Sequence, residues 1–239
     1  ANPCGVSSKN NNLESYKSAL SCDPISAFGG IVSCNFKITK NLALELNKLF
    51  LEVIIANGFE SSAIKILKTK KNLRLIDGTN YSSEELFKFI SFNQDIMIQS
   101  EDLSLFSKKD FKIVSKRKPT SKQLKDLIFA FNVCRYVKSN AIVLASNETT
   151  VGIGSGQPSR LDSCQIAINK MKKFNLQNDN LVAASDAFFP FVDGIEKLVQ
   201  SGVRAIVQPS GSIRDKDIIN FANETNTVLL FSKTRHFRH

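Results

Sequence analysis

The chain has 239 residues, of which 42% are hydrophobic and 23% charged, and this balance excludes wholesale disorder. No apolar run approaches the ~20 residues that a membrane-spanning helix needs, so we expect a soluble protein with no membrane partner. The net charge of +10 would suit nucleic-acid binding, but the lysines are spread along polar faces and not gathered in one tract. We therefore expect no nucleic-acid partner.

The first half of the chain alternates amphipathic segments with short apolar runs, which is typical of an α/β domain. Helices are predicted at residues 12–20, 40–50 and 60–70, and strands at residues 30–34, 51–56 and 73–77. The last two strands enclose a helix, and such a unit favours parallel pairing. Residues 79–107 form a mixed segment in which one strand is predicted near residues 96–98.

The second half has clearer patterns. Helices are predicted at 121–136, from Ser159 to about 173, at 195–203 and after Ser212, and strands at 141–146, 150–154, 204–209 and 227–232. Asn147-Glu148 separates two of these strands and predicts a hairpin. Ser159 with Asp162 resembles a capping box. We place a domain boundary between residues 112 and 113, giving domains of residues 1–112 and 113–239.

Several short motifs lie where strands end. "GIGSG" (152–156) has the spacing G-x-G-x-G, which is not a dinucleotide fingerprint, so a glycine-rich hairpin exit and a ligand site remain equally open. "PSGS" (209–212) stands between a strand and a helix, where open α/β sheets bind ligands. "SDAFFPFVDG" (185–194) fits either a core strand or a pocket wall. Together these turns suggest a pocket for an anionic, planar ligand.

The cysteines and histidines argue against a metal site. Five scattered cysteines without a C-x-x-C pair suit reduced thiols and a cytoplasmic location. The histidines are His236 and His239, at the end of the chain, so zinc is not expected and no transition metal is predicted.

Eight motifs in chain order resemble those of one family. They are "NPCG", "DPISAFGGIV", "EVIIA", "KSNAIV", "GIGSGQPSR", "SDAFFPFVDG", "QPSGSIRD" and "RHFRH". The chain is similar to the transformylase portion of the AICAR formyltransferase/IMP cyclohydrolase family. The resemblance implies two cytidine-deaminase-like α/β subdomains, with mixed sheets flanked by helices, of which the first is N-terminally incomplete. It also implies a homodimer with shared sites and an upstream cyclohydrolase domain that closes FAICAR to IMP.

The resemblance further implies an activity and a set of site residues. The family transfers a formyl group from 10-formyltetrahydrofolate, its cosubstrate, to the 5-amino group of AICAR, giving FAICAR. Asn140 would be catalytic, orienting the formyl oxygen and the amine. The implied AICAR-binding residues are Phe28, Gly29, Glu52 on the ribose, Arg160, Phe188, and Arg235 on the phosphate. Asp193 and Ser212 would bind the folate.

This sequence also departs from the family pattern. A Lys-His pair, the histidine being the proposed general base, precedes the position that matches Ala1, so we expect the chain alone to bind ligand but transfer little formyl group. Val192 stands where an arginine is usual, and Gln94-Asp95 where Gly-Gly is frequent. The alternative is a non-catalytic nucleotide-binding module of the same fold.

Overall fold

The computed structural model describes residues 2–81, 87–174 and 180–238, and confirms an α/β protein. The helices are α1 (Asn12–Cys22), α2 (Lys40–Leu46), α3 (Ser61–Leu67), α4 (Ser121–Cys134), α5 (Arg160–Lys173), α6 (Val192–Gln200) and α7 (Asp215–Glu224). A single 3-10 turn covers Lys108–Asp110 within these ranges. Among the described residues, no helix has both the length and the apolar character needed to cross a bilayer.

The strands form three separate sheets. The strands are β1 (Gly30–Cys34), β2 (Leu51–Ala56), β3 (Arg74–Asp77), β4 (Phe87–Phe92), β5 (Asp95–Ser100), β6 (Phe111–Ile113), β7 (Ile142–Ser146), β8 (Thr149–Gly154), β9 (Val182–Ser185), β10 (Ala205–Pro209) and β11 (Val228–Ser232). The sheet orders are β1-β2-β3, β6-β11-β10-β9-β7-β8 and β4-β5. The predicted parallel pairing of the second and third strands is confirmed.

The chain divides into two compact units. The large unit comprises Ala1–Ile25 and Leu105–His239, and the small unit comprises Ser26–Ser104. The first residues join the large unit because Ser7 forms a bridge with Thr149 and α1 packs on β8. This division differs from the boundary predicted after residue 112. That boundary concerns family subdomains and stays a prediction.

The six-stranded sheet of the large unit is mixed. Strands β9, β10 and β11 are parallel, whereas β7 runs antiparallel to both β8 and β9, and β6 runs antiparallel to β11. Alternating residues along these strands face opposite sides. One side packs on α5, α6 and α7, and the other packs on α4. Burial on both faces explains why these strands read as continuous apolar runs.

The β7–β8 turn shows how a buried carboxylate supports a hairpin. Asn147 and Glu148 both have positive φ, at 53° and 50°, which is the requirement of a type I′ turn. Asp126 of α4, 1% exposed, accepts the main-chain N–H of Asn147 (3.0 Å) and of Glu148 (2.6 Å). The predicted hairpin is therefore confirmed, and its anchor lies on a helix distant in sequence.

The small unit has a thinner core. Its three-stranded sheet is parallel, and Ile54 and Ala56 of β2 are buried. Ile31 of β1 and Ile76 of β3 are exposed, and they pair with the β2 residues that alternate with Ile54 and Ala56. Their apolar side chains therefore lie on the face of the sheet opposite to the buried one. The helix predicted at 40–50 ends at Leu46, because Lys48 and Leu49 donate their N–H groups three residues back, to Glu45 O (3.1 Å) and Leu46 O (3.3 Å), and no longer four.

The mixed segment after β3 contains a hairpin instead of one strand. The predicted strand near residue 96 is β5, and it pairs antiparallel with β4, which sequence reasoning missed. Large apolar side chains of this hairpin are exposed on both strands, namely Phe87, Phe89, Phe92, Ile96, Met97 and Ile98. An isolated two-stranded hairpin is marginally stable in water, so such a surface is typical of a segment that contacts something else.

Candidate active site

The predicted site residues of the large unit gather at one edge of the six-stranded sheet. Ile142, at the start of β7, pairs with Ser185, at the end of β9, and with Gly154, at the end of β8. The carboxyl ends of β10 and β11 lie along the same edge because these strands run parallel to β9. Loops at this edge of an open α/β sheet commonly hold ligands.

A buried ion pair lies at the centre of this edge. Arg160, the first residue of α5, donates through Nη1 to Asp186 Oδ1 and to Ser185 Oγ (2.8 Å). Asp186 is fully buried, and Arg160 is 9% exposed. Removing one partner from such a pair is strongly destabilising because it leaves a buried charge without compensation. Arg160 is thus tied into the protein and is not an open surface cation.

The side-chain amide of Asn140 has a defined orientation. Its Nδ2 donates to the main-chain oxygens of Gln157 (2.9 Å) and Pro158 (2.9 Å), and its Oδ1 accepts from Arg160 Nη2 (2.6 Å). A guanidinium only donates and a carbonyl only accepts, so exchanging the amide oxygen and nitrogen would break all three bonds. Both N–H groups of Asn140 are therefore occupied, while Oδ1 retains one acceptor position.

The last residues of the chain are held against the same ion pair. The main-chain oxygen of Asp186 accepts the main-chain N–H of His236 (2.9 Å). Ser139 donates its main-chain N–H to Arg238 O (2.8 Å), and its hydroxyl accepts the main-chain N–H of Arg238 (3.1 Å). The imidazole of His236 is 2% exposed and packs against the rings of Phe106 and Phe131. The C-terminal segment is therefore anchored, which sequence reasoning left open.

Arg235 lies next to this anchor and points outward. Its side chain is exposed, and its guanidinium lies 5.2 Å from the ring centroid of Phe237. A planar guanidinium beside an aromatic ring keeps its outer N–H groups available for bidentate contact with a phosphate or carboxylate.

The "SDAFFPFVDG" segment leaves the sheet at Ser185, so it is not a core strand. Phe189 is buried in the apolar cluster that contacts α6, whereas Phe188 is partly exposed. Asp193 lies in the first turn of α6 and is exposed. Both Phe188 and Asp193 therefore present surface to solvent near the end of β9.

Ser212 lies in the turn between β10 and α7. Its N–H donates to Asp215 Oδ1 (3.2 Å), and its hydroxyl accepts the N–H of Arg214 (3.1 Å). Arg214 is the residue before α7, and its side chain makes no cap bond. The hydrogen bonds of Ser212 and Asp215 therefore organise the turn that precedes the helix.

The glycines of "GIGSG" have mainly a packing role. A Cβ at Gly152 would lie 2.2 Å from Ala167 O, and one at Gly154 would lie 1.9 Å from Ser163 O. Both carbonyls belong to α5, so these glycines let that helix approach β8. Ser159 precedes α5 without a side-chain cap bond, so the predicted capping box is wrong.

The small unit carries the other predicted AICAR-binding residues. Phe28 is 68% exposed, and its ring centroid lies 5.2 Å from that of Phe50. Gly29 has φ of +71°, a conformation that favours glycine, and donates its N–H to Phe50 O (2.9 Å). Glu52 is the exposed second residue of β2. These residues converge around the start of β2.

A match to a family profile decides the relationship. The profile described as AICARFT/IMPCHase bienzyme matches residues 1–170. The chain belongs to this family.

Curated relatives of the AICARFT/IMPCHase family match the whole chain. The bifunctional purine biosynthesis protein PurH of Caldicellulosiruptor saccharolyticus is 44% identical over all of the chain, and that of Buchnera aphidicola is 46% identical. The protein of the same name from Aquifex aeolicus is 42% identical. The chain spans 46% of the length of each of these relatives.

Two polar residues of this family member's site escaped sequence reasoning. They are Ser139, which precedes Asn140, and Asp186, whose Oδ2 accepts from the Ser139 hydroxyl (2.6 Å). The available signal was the position of Asp186 directly after an apolar strand, where a carboxylate is buried only if it is paired.

Acidic, histidine and cysteine side chains form no cluster of three that could hold a metal within the described ranges. All five cysteines are free thiols, and three of them, Cys22, Cys134 and Cys164, are buried. Burial raises the pKa of Cys22 and Cys164 to about 12, so these thiols are protonated and unreactive near neutral pH.

Proposed function

We propose that this chain is the formyltransferase portion of a bifunctional purine biosynthesis enzyme. It would transfer the formyl group of 10-formyltetrahydrofolate to the 5-amino group of AICAR, giving FAICAR. The observation that carries the proposal is the Asn140–Arg160–Asp186 network at a sheet edge that also bears an exposed arginine, in a member of the AICARFT/IMPCHase family.

Asn140 would act on the amine of AICAR. Its two N–H groups are occupied by main-chain oxygens, and Oδ1 can accept one further hydrogen bond. An acceptor at that point would orient an amine N–H and direct the nitrogen lone pair towards the formyl carbon. Donation to the formyl oxygen by the same amide would require loss of a bond to Gln157 or Pro158.

Arg235 would bind the phosphate of AICAR. It directly precedes the segment that Asp186 and Ser139 hold to the sheet edge, so the cost of ordering that segment is already met. Phe188 and Arg160 would complete the nucleotide site on the large unit, while Asp193 and Ser212 would bind the folate. In the small unit, Phe28, Gly29 and Glu52 stay predicted AICAR contacts, with Glu52 on the ribose.

General acid–base catalysis needs a further group. His236 is the one histidine within the described residues, and it is buried between phenylalanine rings with 2% exposure. It is therefore unsuited to accept a proton from a bound amine. This burial favours, as a second candidate, a nucleotide-binding module that holds AICAR without turnover.

The proposal includes partners. A homodimer is supported by the exposed apolar side chains of β4 and β5, which suit a subunit contact. The length of the relatives supports an additional cyclohydrolase domain and a second activity that closes FAICAR to IMP. We further propose a cytoplasmic location, as expected for an enzyme that carries five free thiols.

Calorimetry with AICAR tests the proposal directly. The unaltered chain is expected to bind AICAR, and Arg235→Ala is expected to weaken binding at least about tenfold, because a charge-assisted bond to phosphate is lost. Arg117→Ala is the matched control, since Arg117 donates to Asn226 O, before the start of β11, at the opposite edge of the same sheet. Equal affinities of both variants and the unaltered chain would refute the phosphate assignment.

A further inference from the structure

Asp186 contacts three of the segments that form the large-unit site. One carboxylate oxygen pairs with Arg160 of α5, and the other accepts from the hydroxyl of Ser139 (2.6 Å). Its main-chain N–H donates to Ala141 O (3.2 Å), and its main-chain oxygen accepts from His236 (2.9 Å). The loop before β7, helix α5 and the C-terminal segment are thus joined through one buried residue.

The carboxylate of Asp186 determines where the guanidinium of Arg160 lies. The other hydrogen-bond partners of that guanidinium, Ser185 Oγ and Asn140 Oδ1, are neutral. Charge-assisted hydrogen bonds are about twice as strong as neutral ones, so the pair with Asp186 dominates. Arg160 Nη2 can reach Asn140 Oδ1 at 2.6 Å only while Nη1 is held in this position.

We propose that Asp186 is a positioning residue for formyl transfer, which orients the Asn140 amide through Arg160 without touching either reactant. This inference rests on the proposed function and adds a residue to its site. With Arg160 held on Oδ1 of Asn140, the remaining acceptor position of that oxygen has one direction. Loss of the negative charge at Asp186 frees the guanidinium and lets the amide direction vary.

The test compares two ligands on the whole chain by calorimetry. AICAR carries the amine, whereas ribose 5-phosphate lacks it and keeps the ribose and the phosphate that Arg235 would bind. Asp186→Asn is nearly isosteric and keeps the main-chain bond to His236. It is expected to weaken AICAR binding about three- to tenfold, which is the loss of affinity that corresponds to one hydrogen bond. The affinity for ribose 5-phosphate is expected to stay unchanged. Asn140→Ala should have the same effect, and the double variant should lose no more than either single one.

Asp126→Asn is the control for a purely structural effect. Asp126 is also a buried aspartate of the large unit, 1% exposed, and it holds the turn at the far end of β7. It is expected to lower the unfolding temperature while preserving the ratio of the two affinities. If Asp186→Asn does not fold, Ser139→Ala removes the bond to Oδ2 together with the acceptor of the Arg238 N–H, and it should reduce AICAR affinity in the same selective way.

The outcomes separate the two proposals. Failure of the unaltered chain to bind AICAR would contradict the proposed function. An AICAR affinity that is unchanged in Asp186→Asn would overturn the role of Asp186. Where that variant is unfolded, an unchanged AICAR affinity in Ser139→Ala would overturn it. The role of Asp186 would also be overturned by an equal loss of affinity for both ligands in Asp186→Asn, or by additive losses of AICAR affinity in the double variant. A changed ratio of the two affinities in Asp126→Asn would overturn it as well.

Discussion

The predicted site residues are held very differently in the two units. In the large unit, Asn140 and Arg160 are fixed by a network around a buried carboxylate. In the small unit, Phe28 is 68% exposed and Glu52 lies on the surface of a three-stranded sheet. One unit therefore orders its site residues by its own folding, whereas the other presents them on a lightly packed surface.

For the proposed site residues, this difference sets a different entropic cost of ligand binding in each unit. Residues that folding has already ordered need lose little entropy when a ligand binds, whereas exposed side chains lose it at that moment. We therefore expect affinity to depend most steeply on the large unit. The exposed apolar hairpin of the small unit is the surface that the proposed subunit contact would cover.

The largest contrast is expected from one glycine in each unit. Gly154→Ala would place a Cβ 1.9 Å from Ser163 O and push α5 away from β8, whereas a Cβ at Gly78 would meet its nearest atom at 3.6 Å. Gly154→Ala should lower the free energy of unfolding by at least about 2 kcal/mol. Gly78→Ala should change it by no more than about 1 kcal/mol. Urea unfolding followed by circular dichroism measures both, and similar values would remove the contrast in packing.

An intermediate effect is expected at the hairpin. Phe89 and Ile98 are paired in register and are 65% and 60% exposed. Replacing both by serine should raise the dissociation constant of a dimer about 30-fold or more if they are central to the contact, with little change in monomer stability. Sedimentation equilibrium measures this constant, and Leu44→Ser is the control for an exposed apolar residue outside the hairpin. Unchanged association in the double variant would exclude the hairpin from the subunit contact.

The smallest effect concerns thiol chemistry and leaves stability untouched. Burial raises the pKa of Cys34 in the small unit to about 11, and that of Cys164 in the large unit to about 12. The thiolate is the reactive form, so alkylation of partly exposed Cys34 should accelerate about tenfold per pH unit between about pH 8 and 10. Cys164 should react only on unfolding. Peptide mass spectrometry after iodoacetamide measures both rates, with urea-unfolded protein as control; equal rates in the native protein would contradict the difference in burial.

Much of the fold could be predicted because the local signals agree with the tertiary structure. The parallel pairing of β2 and β3 followed from a short strand–helix–strand unit, and the β7–β8 hairpin followed from Asn147-Glu148. The strand β4 was missed because its residues alternate only in part and no face of it is buried. The end of α2 was misplaced because apolar residues continue past Leu46 into the turn before β2.

Sequence reasoning names residues of the candidate site but not how they are buried and paired, for a physical reason. The family resemblance implies Asn140 and Arg235 as site residues, and both stand next to predicted strands, which chain order alone can indicate. Whether a charge is buried depends on neighbours distant in sequence, so the burial of Arg160 against Asp186 could not be predicted. For the glycines of β8 the sequence leaves a hairpin exit and a ligand site equally open, because the packing of α5 against them is a tertiary contact.

The sequence by itself determined the α/β class and the edge of the sheet where polar residues collect, because apolar periodicity and turn residues are local properties, and its motifs carried the resemblance to the family. Only the tertiary structure decided how those residues act on one another. Asp186 and Arg160 lie 26 positions apart, and His236 joins them from the end of the chain. Their pairing depends on the removal of water by packing from both sides of the sheet, and no local stretch of sequence contains that information.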